Sequence, residues 1–311
     1  MEIHVWGAEK DIAIFHAESL AIAWYQVVFY AHRSDLSIVT SSNTFISPSG
    51  SLPFLKDGET YVNGFENIVQ YLQKKIPSKV TAAANYESEL VESGLMQYIE
   101  NKLSVITKYT YLVNRENYER FTRSKFKDYL PFPMQYAPPL DLRKEAVEAA
   151  NSVGLTEGTR QASDDDEEIK ALKDQLKAIP TLSNVYKTQI DQKVSEILTK
   201  KGAVANMQCI YLAETYLSQI TKVIDLESDK APTASEILFM AHIFSQTYSE
   251  LPDCFMRTYI SDSHPELFAK VQLLAKSMEF KIKRSDLVRS PRSSEYPGLV
   301  NAILNYGNTL I

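Results

Sequence analysis

Cysteine is scarce in this sequence, with two residues in 311. Cys209 and Cys254 lie far apart and form no CxxC pair, so they provide neither a disulfide framework nor the paired thiols of a redox enzyme. The five histidines share no metal-ligand spacing, and we assign no metal site. This composition fits a protein of a reducing compartment.

Long apolar runs are also missing. The longest candidates, Leu20 to Ala31 and Leu299 to Ile311, are shorter than the roughly 18 to 20 residues that a membrane-spanning helix requires. The first residues, MEIHVWGAEKD, have the features of neither a signal peptide nor a transit peptide. We therefore expect that a partner holds the protein in place if it works at a membrane.

An excess of positive charge is absent as well, since 33 Lys and Arg residues stand against 39 Asp and Glu residues. The formal net charge of -6 argues against a nucleic-acid or anionic-lipid surface, because both need clustered positive charge. We expect proteins or small molecules as partners, and no nucleic acid. The length is sufficient for two domains of ordinary size.

The stretch from Gly50 to Leu72 alternates turn signals with short apolar runs. Pro53 opens the first run, and because proline donates no hydrogen bond to a ladder, we place it at the first residue of a strand. Asp57 and Gly58 form the dipeptide typical of a two-residue type I′ turn, in which both central residues have positive φ. The pattern predicts a β-hairpin.

A helix is predicted directly after this hairpin, in the segment GFENIVQYL that begins at Gly64. Asn63 and Glu66 have the spacing of a capping box. Apolar residues then recur on one helical face, at Phe65, Ile68, Val69 and Leu72. We expect this face to pack onto the hairpin.

The residues before the hairpin predict a strand at 3–6, a helix from Ser19 to about Arg33 and a parallel strand at 36–39. The helix is apolar on nearly every face, which predicts burial on both sides. This β-α-β unit followed by ββα is the thioredoxin-like order, with a loop over 40–51 in place of the usual second helix. Pro53 then falls where that fold has a cis-proline.

After residue 77 the sequence predicts helices alone. The chain is therefore expected to be α+β in a thioredoxin-like domain (1–78) and all-α beyond it (79–311). A charged, partly flexible insertion is expected near 152–205, and its acidic run at 164–168 predicts a solvated loop.

Thr233 and Glu236 form a second predicted capping box. Helices are predicted at 86–108, 118–129, 169–201 with a break at Pro180, 207–224, 237 onward, 265–280 and 298–311.

Four prolines interrupt the segment LPFPMQYAPPLDLR, residues 130–143. They exclude an uninterrupted helix, so we expect an extended chain. A stiff segment with apolar groups loses little further entropy when it binds, which makes it a candidate partner contact. Packing between the two domains is the alternative for the same residues. The candidates are Phe132, Met134, Tyr136, Leu140, Leu142 and Arg143.

Three segments resemble the metaxin family, whose architecture is that of the glutathione transferases. They are GFENIVQYL, the start of the next helix at 85–90, and LPFPMQYAPPLDLR. The last of these and HAESLAIAWYQ near the N-terminus are most similar to the fungal metaxin-like subunits of the mitochondrial sorting and assembly machinery. The resemblance covers the first 143 residues, and beyond them it rests on the order of helices.

This resemblance implies a non-enzymatic scaffold subunit, without a cofactor, on the cytosolic face of the mitochondrial outer membrane. It implies three kinds of partner: a membrane-embedded β-barrel insertase subunit, a second metaxin-like subunit and the β-barrel precursors that are inserted. Some relatives carry a C-terminal membrane anchor, and this sequence ends without a comparable run. We therefore expect peripheral membrane association through the partners.

A glutathione-dependent transferase of the same fold is the alternative function, because a fold alone does not determine function. Ser19 is the only hydroxyl well placed near the first helix to stabilise a thiolate, but serine there is more often a helix cap. A glutathione site also needs a serine directly after Glu66, where this sequence has Asn67. A cytosolic scaffold of the same fold is a third possibility.

Overall fold

A five-stranded sheet forms the N-terminal part of the protein in the computed structural model, which describes residues 1–76, 86–155, 167–174, 184–224 and 231–298. Its strand order is β6-β5-β1-β4-β7. The strands are β1 (Glu2–His4), β4 (Ser37–Val39), β5 (Phe54–Asp57), β6 (Thr60–Asn63) and β7 (Val288–Arg289), and a separate small ribbon pairs β2 (Gly7–Ala8) with β3 (Asp11–Ile12).

The predicted β-α-β unit is confirmed. Strand β1 pairs in parallel with β4, and helix α1 (Ala17–Phe29) connects them. Almost every residue of α1 is buried, as the apolar pattern predicts. On the other side of β4 lies β7, which is also parallel and which the sequence did not predict. A segment near residue 288 therefore completes the N-terminal sheet.

The hairpin of β5 and β6 is confirmed, but its predicted turn is wrong by one residue. Asp57 is paired with Thr60 in the ladder, so the loop consists of Gly58 and Glu59. Gly58 has a φ of 60° and Glu59 does not have a positive φ, which is the pattern of a type II′ turn. The peptide bond before Pro53 is cis, as predicted, and β5 begins one residue later.

Helix α2 (Phe65–Lys75) follows the hairpin, but the predicted capping box at its start is wrong. The N-cap is Gly64, whose φ of 82° suits a residue without a Cβ. The Glu66 carboxylate accepts hydrogen bonds from Ser93 and from Gln70 instead of from the backbone at Asn63. Tertiary contacts with the next helix therefore replace the local cap.

The rest of the described chain is mainly helical, as predicted. The expected helix at 86–108 has these bounds, and the capping box of Thr233 and Glu236 is present. The helices are α3 (Tyr86–Lys108), α4 (Arg115–Asn117), α5 (Arg123–Tyr129), α6 (Ala137–Ser152), α7 (167–174), α8 (Asn184–Ile220), α9 (Ala234–Gln246), α10 (Phe255–Ser263) and α11 (Pro265–Arg284), with π-helical turns at Tyr109–Val113 and Tyr118–Thr122.

Two expectations for this helical part are wrong. The segment 130–143 is not extended, because turns at 132–136 lead into α6. Pro138 and Pro139 lie in the first turn of α6, where a backbone N–H has no partner in the helix and proline is tolerated. The predicted separate helices at 169–201 and 207–224 are also wrong in part, since α8 runs through 202–206 without interruption.

Some expectations lie outside the described residues. These include the break at Pro180, the helix at 298–311 and most of the acidic run at 164–168, of which only Glu167 and Glu168 are described, both in α7. The domain boundary at 78 also falls in an undescribed segment and stays a prediction. Among the described helices, none combines the length and the apolar character needed to span a membrane.

The core is built around α1 and α9, which pack against each other. Helix α9 also contacts α3 and α11, and α1 contacts α2 and α11. Both central helices have residues buried on all sides, whereas α3, α8 and α11 expose one face. The two halves of the chain therefore share one continuous core.

Candidate functional site

An exposed apolar patch, which we call the Phe132 patch, consists of Phe132, Tyr136 and Leu140. These side chains are 77%, 54% and 60% exposed. The two aromatic rings stand perpendicular to each other with their centroids 6.1 Å apart. Large apolar side chains grouped on a surface are typical of protein interfaces.

The turn that carries this patch is held by backbone hydrogen bonds. The N–H groups of Gln135 and Tyr136 donate to the carbonyl oxygens of Pro131 and Pro133 at 3.1 and 3.2 Å. The peptide bond between Phe132 and Pro133 is cis. The exposed rings are thus mounted on an ordered turn, which lowers the entropy cost of binding.

The other three partner-contact candidates face the protein itself. Met134 is 6% exposed and belongs to the core. The Arg143 guanidinium donates to the Leu112 carbonyl at 3.2 Å and lies 4.2 Å from the centre of the Tyr118 ring. Met134 and Arg143, with half-buried Leu142, therefore anchor the segment to the rest of the protein. Of the six candidates, the three residues of the Phe132 patch stay as predicted partner contacts.

Ser19, the candidate hydroxyl of the transferase alternative, is fully buried. Its Oγ accepts a hydrogen bond from the Trp6 N–H at 3.1 Å. The expectation that Ser19 caps α1 is wrong, because the N-cap is His16, whose Nδ1 accepts from the Ser19 N–H at 3.2 Å. Burial and the nearby Lys108 charge lower the pKa of His16 to about 3, which keeps its ring neutral and able to accept.

The start of α2, where a glutathione site would hold an anionic group, is occupied by a carboxylate of this chain. Glu100 of α3 accepts a hydrogen bond from the backbone N–H of Glu66 at 3.3 Å. Asn67 donates to the carbonyl of Asn63 at 2.9 Å. Burial, together with the charges of Glu18 and Glu66, raises the pKa of Glu100 to about 7. The helix N-terminus therefore already has an internal acceptor.

One group of potential metal ligands occurs in the described residues, namely Glu2, His4 and Glu295. The Arg289 guanidinium lies among them and contacts Glu2 at 2.7 Å and Glu295 at 2.8 Å. The Arg289 guanidinium beside Glu295, together with the hydrogen bond from the backbone N–H of Arg292, lowers the pKa of Glu295 to about 2. Because Arg289 supplies the positive charge, we interpret this group as a clamp between β1 and β7.

Comparison with known families gives two matches that together extend over most of the chain. Residues 19–143 match the family model described as outer mitochondrial membrane transport complex protein. Residues 160–310 match the model of the Tom37 C-terminal domain. This chain belongs to the Tom37/metaxin family.

Individual metaxins are similar over part of this chain. Metaxin-3 of Xenopus laevis is 26% identical over 149 residues, which are 48% of this chain and 47% of that protein. Metaxin-1 of Mus musculus is 26% identical over 151 residues, 48% of this chain and 46% of its own. A metaxin-2 homolog of Caenorhabditis elegans is 27% identical over 106 residues, 33% and 45% of the two chains. The chain thus spans about half the length of these relatives.

The Phe132 patch and the start of α2 both fall within the 19–143 match. Sequence reasoning found the patch through its prolines but missed His16 and Glu100. Each of them accepts a hydrogen bond from a backbone N–H at the start of a helix, that of Ser19 in α1 and that of Glu66 in α2. Only His16 could have been found from the sequence, since it lies three residues before Ser19.

Proposed function

We propose that this metaxin-family protein is a non-enzymatic accessory subunit of the mitochondrial outer-membrane machinery that folds and inserts β-barrel precursors. It works from the cytosolic face, beside a membrane-embedded barrel subunit and a second metaxin-like subunit. The observation that carries this proposal is the Phe132 patch, where two exposed aromatic rings and a leucine lie on a hydrogen-bonded turn. Aromatic side chains of this kind dominate the binding energy of protein interfaces.

The geometry around α1 and α2 supports a scaffold over a transferase. Ser19 is buried and accepts the N–H of Trp6, so its hydroxyl has a structural partner. The backbone N–H of Glu66 donates to Glu100 instead of to a bound ligand. A transferase would need both groups to be accessible to glutathione.

The decisive experiment is purification of the tagged full-length protein from its native cells in mild detergent. We expect a barrel-forming membrane protein and a second metaxin to co-purify. The double variant Phe132→Ala/Tyr136→Ala should lose most of this material while the isolated protein keeps its melting temperature, because both side chains are exposed.

A matched control replaces two other exposed apolar residues, Tyr211 of α8 and Leu273 of α11, which are both 73% exposed. This double alanine variant should retain the partners. Absence of a barrel protein from the wild-type preparation would refute the proposal, as would a cell fractionation without mitochondrial enrichment. Micromolar glutathione binding with turnover that disappears in Ser19→Ala would favour the transferase.

A further inference from the structure

A groove lies beside α6, on a different side of the helix from the Phe132 patch. It has a volume of about 530 Å³ and runs between the loop at 44–50 and the first turns of α6, with Trp6 among its lining residues. Leu140 of the patch and Asp141 of the groove are consecutive, so their side chains point about 100° apart around the helix. The groove is therefore a surface of its own.

One wall of the groove is acidic. Asp141, Glu145 and Glu148 line it at spacings of four and three residues, which places them on one face of α6. All three are exposed, and none has an ion-pair or hydrogen-bond partner among the residues that the structure describes. Among the described residues that line the groove, Lys144 is the only basic one. This wall consequently carries an excess of unpaired negative charge.

The opposite wall combines apolar with small polar residues and is well ordered. Phe45 lies in a short 3₁₀ turn (Thr44–Ile46) whose N-cap, Asn43, accepts a hydrogen bond from the Phe45 N–H at 3.1 Å, and Pro48 follows this turn. Ser47 donates to the Asn63 side chain at 3.0 Å and so ties the loop to β6. A groove with walls fixed in this way needs little rearrangement to bind.

We propose that this groove binds a short extended segment of another protein in which Lys or Arg alternates with apolar side chains. Successive side chains of an extended segment point to opposite sides. Basic groups would then meet the carboxylates of α6 while apolar groups contact Phe45 and Pro48. The apolar stems of Lys and Arg add contact area as their charged ends reach the carboxylates.

Charge complementarity selects this occupant over an acidic or a purely apolar segment. An acidic segment would face three uncompensated carboxylates, and an apolar one would desolvate them without providing partners. Asp141 to Glu148 extends over about 10 Å of helix, which corresponds to about four residues of extended chain. A segment of about eight residues is sufficient to occupy the groove. This site goes beyond the proposed scaffold function and does not depend on it.

The test uses the purified full chain and fluorescein-labelled peptides of about eight residues, with binding followed by fluorescence anisotropy at low ionic strength. An alternating Leu/Lys peptide should bind, whereas alternating Leu/Glu and Ser/Lys peptides should bind at least about tenfold more weakly. The triple variant Asp141→Asn/Glu145→Gln/Glu148→Gln should weaken Leu/Lys binding by about tenfold or more.

A control triple variant removes the same charge elsewhere, by Glu89→Gln, Asp191→Asn and Glu196→Gln. These residues are exposed and lie on α3 and α8. The control should bind the Leu/Lys peptide within about twofold of wild type. Both triple variants should melt at the wild-type temperature, since all six positions are exposed.

A peptide with a photo-crosslinking group gives the location directly, and we expect crosslinks to 44–50 and to α6. The proposal is refuted if the control triple variant loses as much affinity as the groove variant, if the Ser/Lys peptide binds as tightly as the Leu/Lys peptide, or if the crosslinks map elsewhere. Spermine that binds the wild type as tightly as the peptide and displaces it would identify a polycation site and also refute the proposal.

Discussion

The beginnings of α2 and α6 are two helix N-termini with opposite surroundings. At α2, the carboxylate of Glu100 from α3 accepts the N–H of Glu66, and Phe65 and Glu66 are buried while Asn67 is exposed. At α6, prolines in the first turn remove N–H groups that would need partners, and Phe132 and Tyr136 just before it are exposed. The first N-terminus is closed by the protein itself, and the second presents apolar surface.

This difference supports the proposed scaffold function over a transferase. A transferase uses the surface near the cis-proline and the start of α2 for its ligand. In this protein Glu66, Ser19 and Glu100 bond to groups of the same chain there. The apolar surface available to a partner lies at the turn before α6 instead.

The largest expected effect concerns the clamp that closes the sheet. Arg289→Ala leaves the buried carboxylate of Glu295 without its cation and leaves half-buried Glu2 with only the exposed Arg292 guanidinium at 3.6 Å, and we expect a loss of about 3 kcal/mol in the free energy of unfolding. Chemical denaturation at pH 7 measures this loss. The pKa of Glu295 lies at about 2 in the folded protein, so the clamp stabilises above the usual pKa of 4.5 and is lost as the pH falls towards 2. A variant with wild-type stability at pH 7 would contradict the clamp.

The second prediction compares the stability contributions of a buried and an exposed residue in the same turn, Met134 and Phe132. Met134→Ala should lower the free energy of unfolding by about 2 to 3 kcal/mol, because it leaves a cavity in the core. Phe132→Ala, two residues away, should change it by less than about 0.5 kcal/mol. Thermal and urea unfolding of the two variants give the comparison directly. Equal losses would mean that Phe132 also packs inside the protein in solution.

The third prediction concerns Glu100. Its folded-state pKa is raised to about 7, above the usual 4.5, so the folded protein binds more protons than the unfolded chain between these values. Stability should therefore fall as the pH rises from 4.5 to 7, by up to about 3 kcal/mol. Glu100→Gln keeps an oxygen acceptor for the Glu66 N–H and should remove this decrease. Identical pH profiles of the two proteins would contradict the burial of Glu100 beside Glu18 and Glu66.

The smallest expected effect is at the start of α1. His16→Ala removes the acceptor of the Ser19 N–H and should cost about 1 kcal/mol in the free energy of unfolding. His16→Asn, another good N-cap, should restore most of this loss. Urea unfolding at pH 7 resolves a difference of this size. If His16→Ala has the stability of the wild type, the Ser19 N–H does not depend on His16 for its hydrogen bond.

Much of the fold follows from local patterns. The positions of α1, α3 and the strands of the first 63 residues along the chain were predictable, because their apolar residues repeat with the period of the element. Gly58 signals the hairpin turn, Thr233 a helix cap and Pro53 a cis peptide bond. These interactions join residues a few positions apart. They are therefore present in any short window of the sequence.

Two of the predictions that failed involve long-range partners. The capping box at Glu66 was displaced by Ser93 and Glu100, which lie about one helix further along the chain. The extended segment at 130–143 became a turn and a helix because Met134 and Arg143 anchor it to the core and to Leu112. These partners lie about 27 to 34 residues away in the sequence, so a local pattern around each residue does not include them.

From the sequence alone follow the β-α-β unit and the hairpin with its helix in the first 76 residues, the cis-proline before β5 and the resemblance to the metaxin family. Each of these depends on residue type and on spacing along the chain. Only the tertiary structure decided that Glu100 closes the start of α2, that Arg289 joins β7 to the sheet, and that Phe132 is exposed while Met134 is buried. Burial and pairing across the core depend on where distant segments meet, and local patterns do not encode that position.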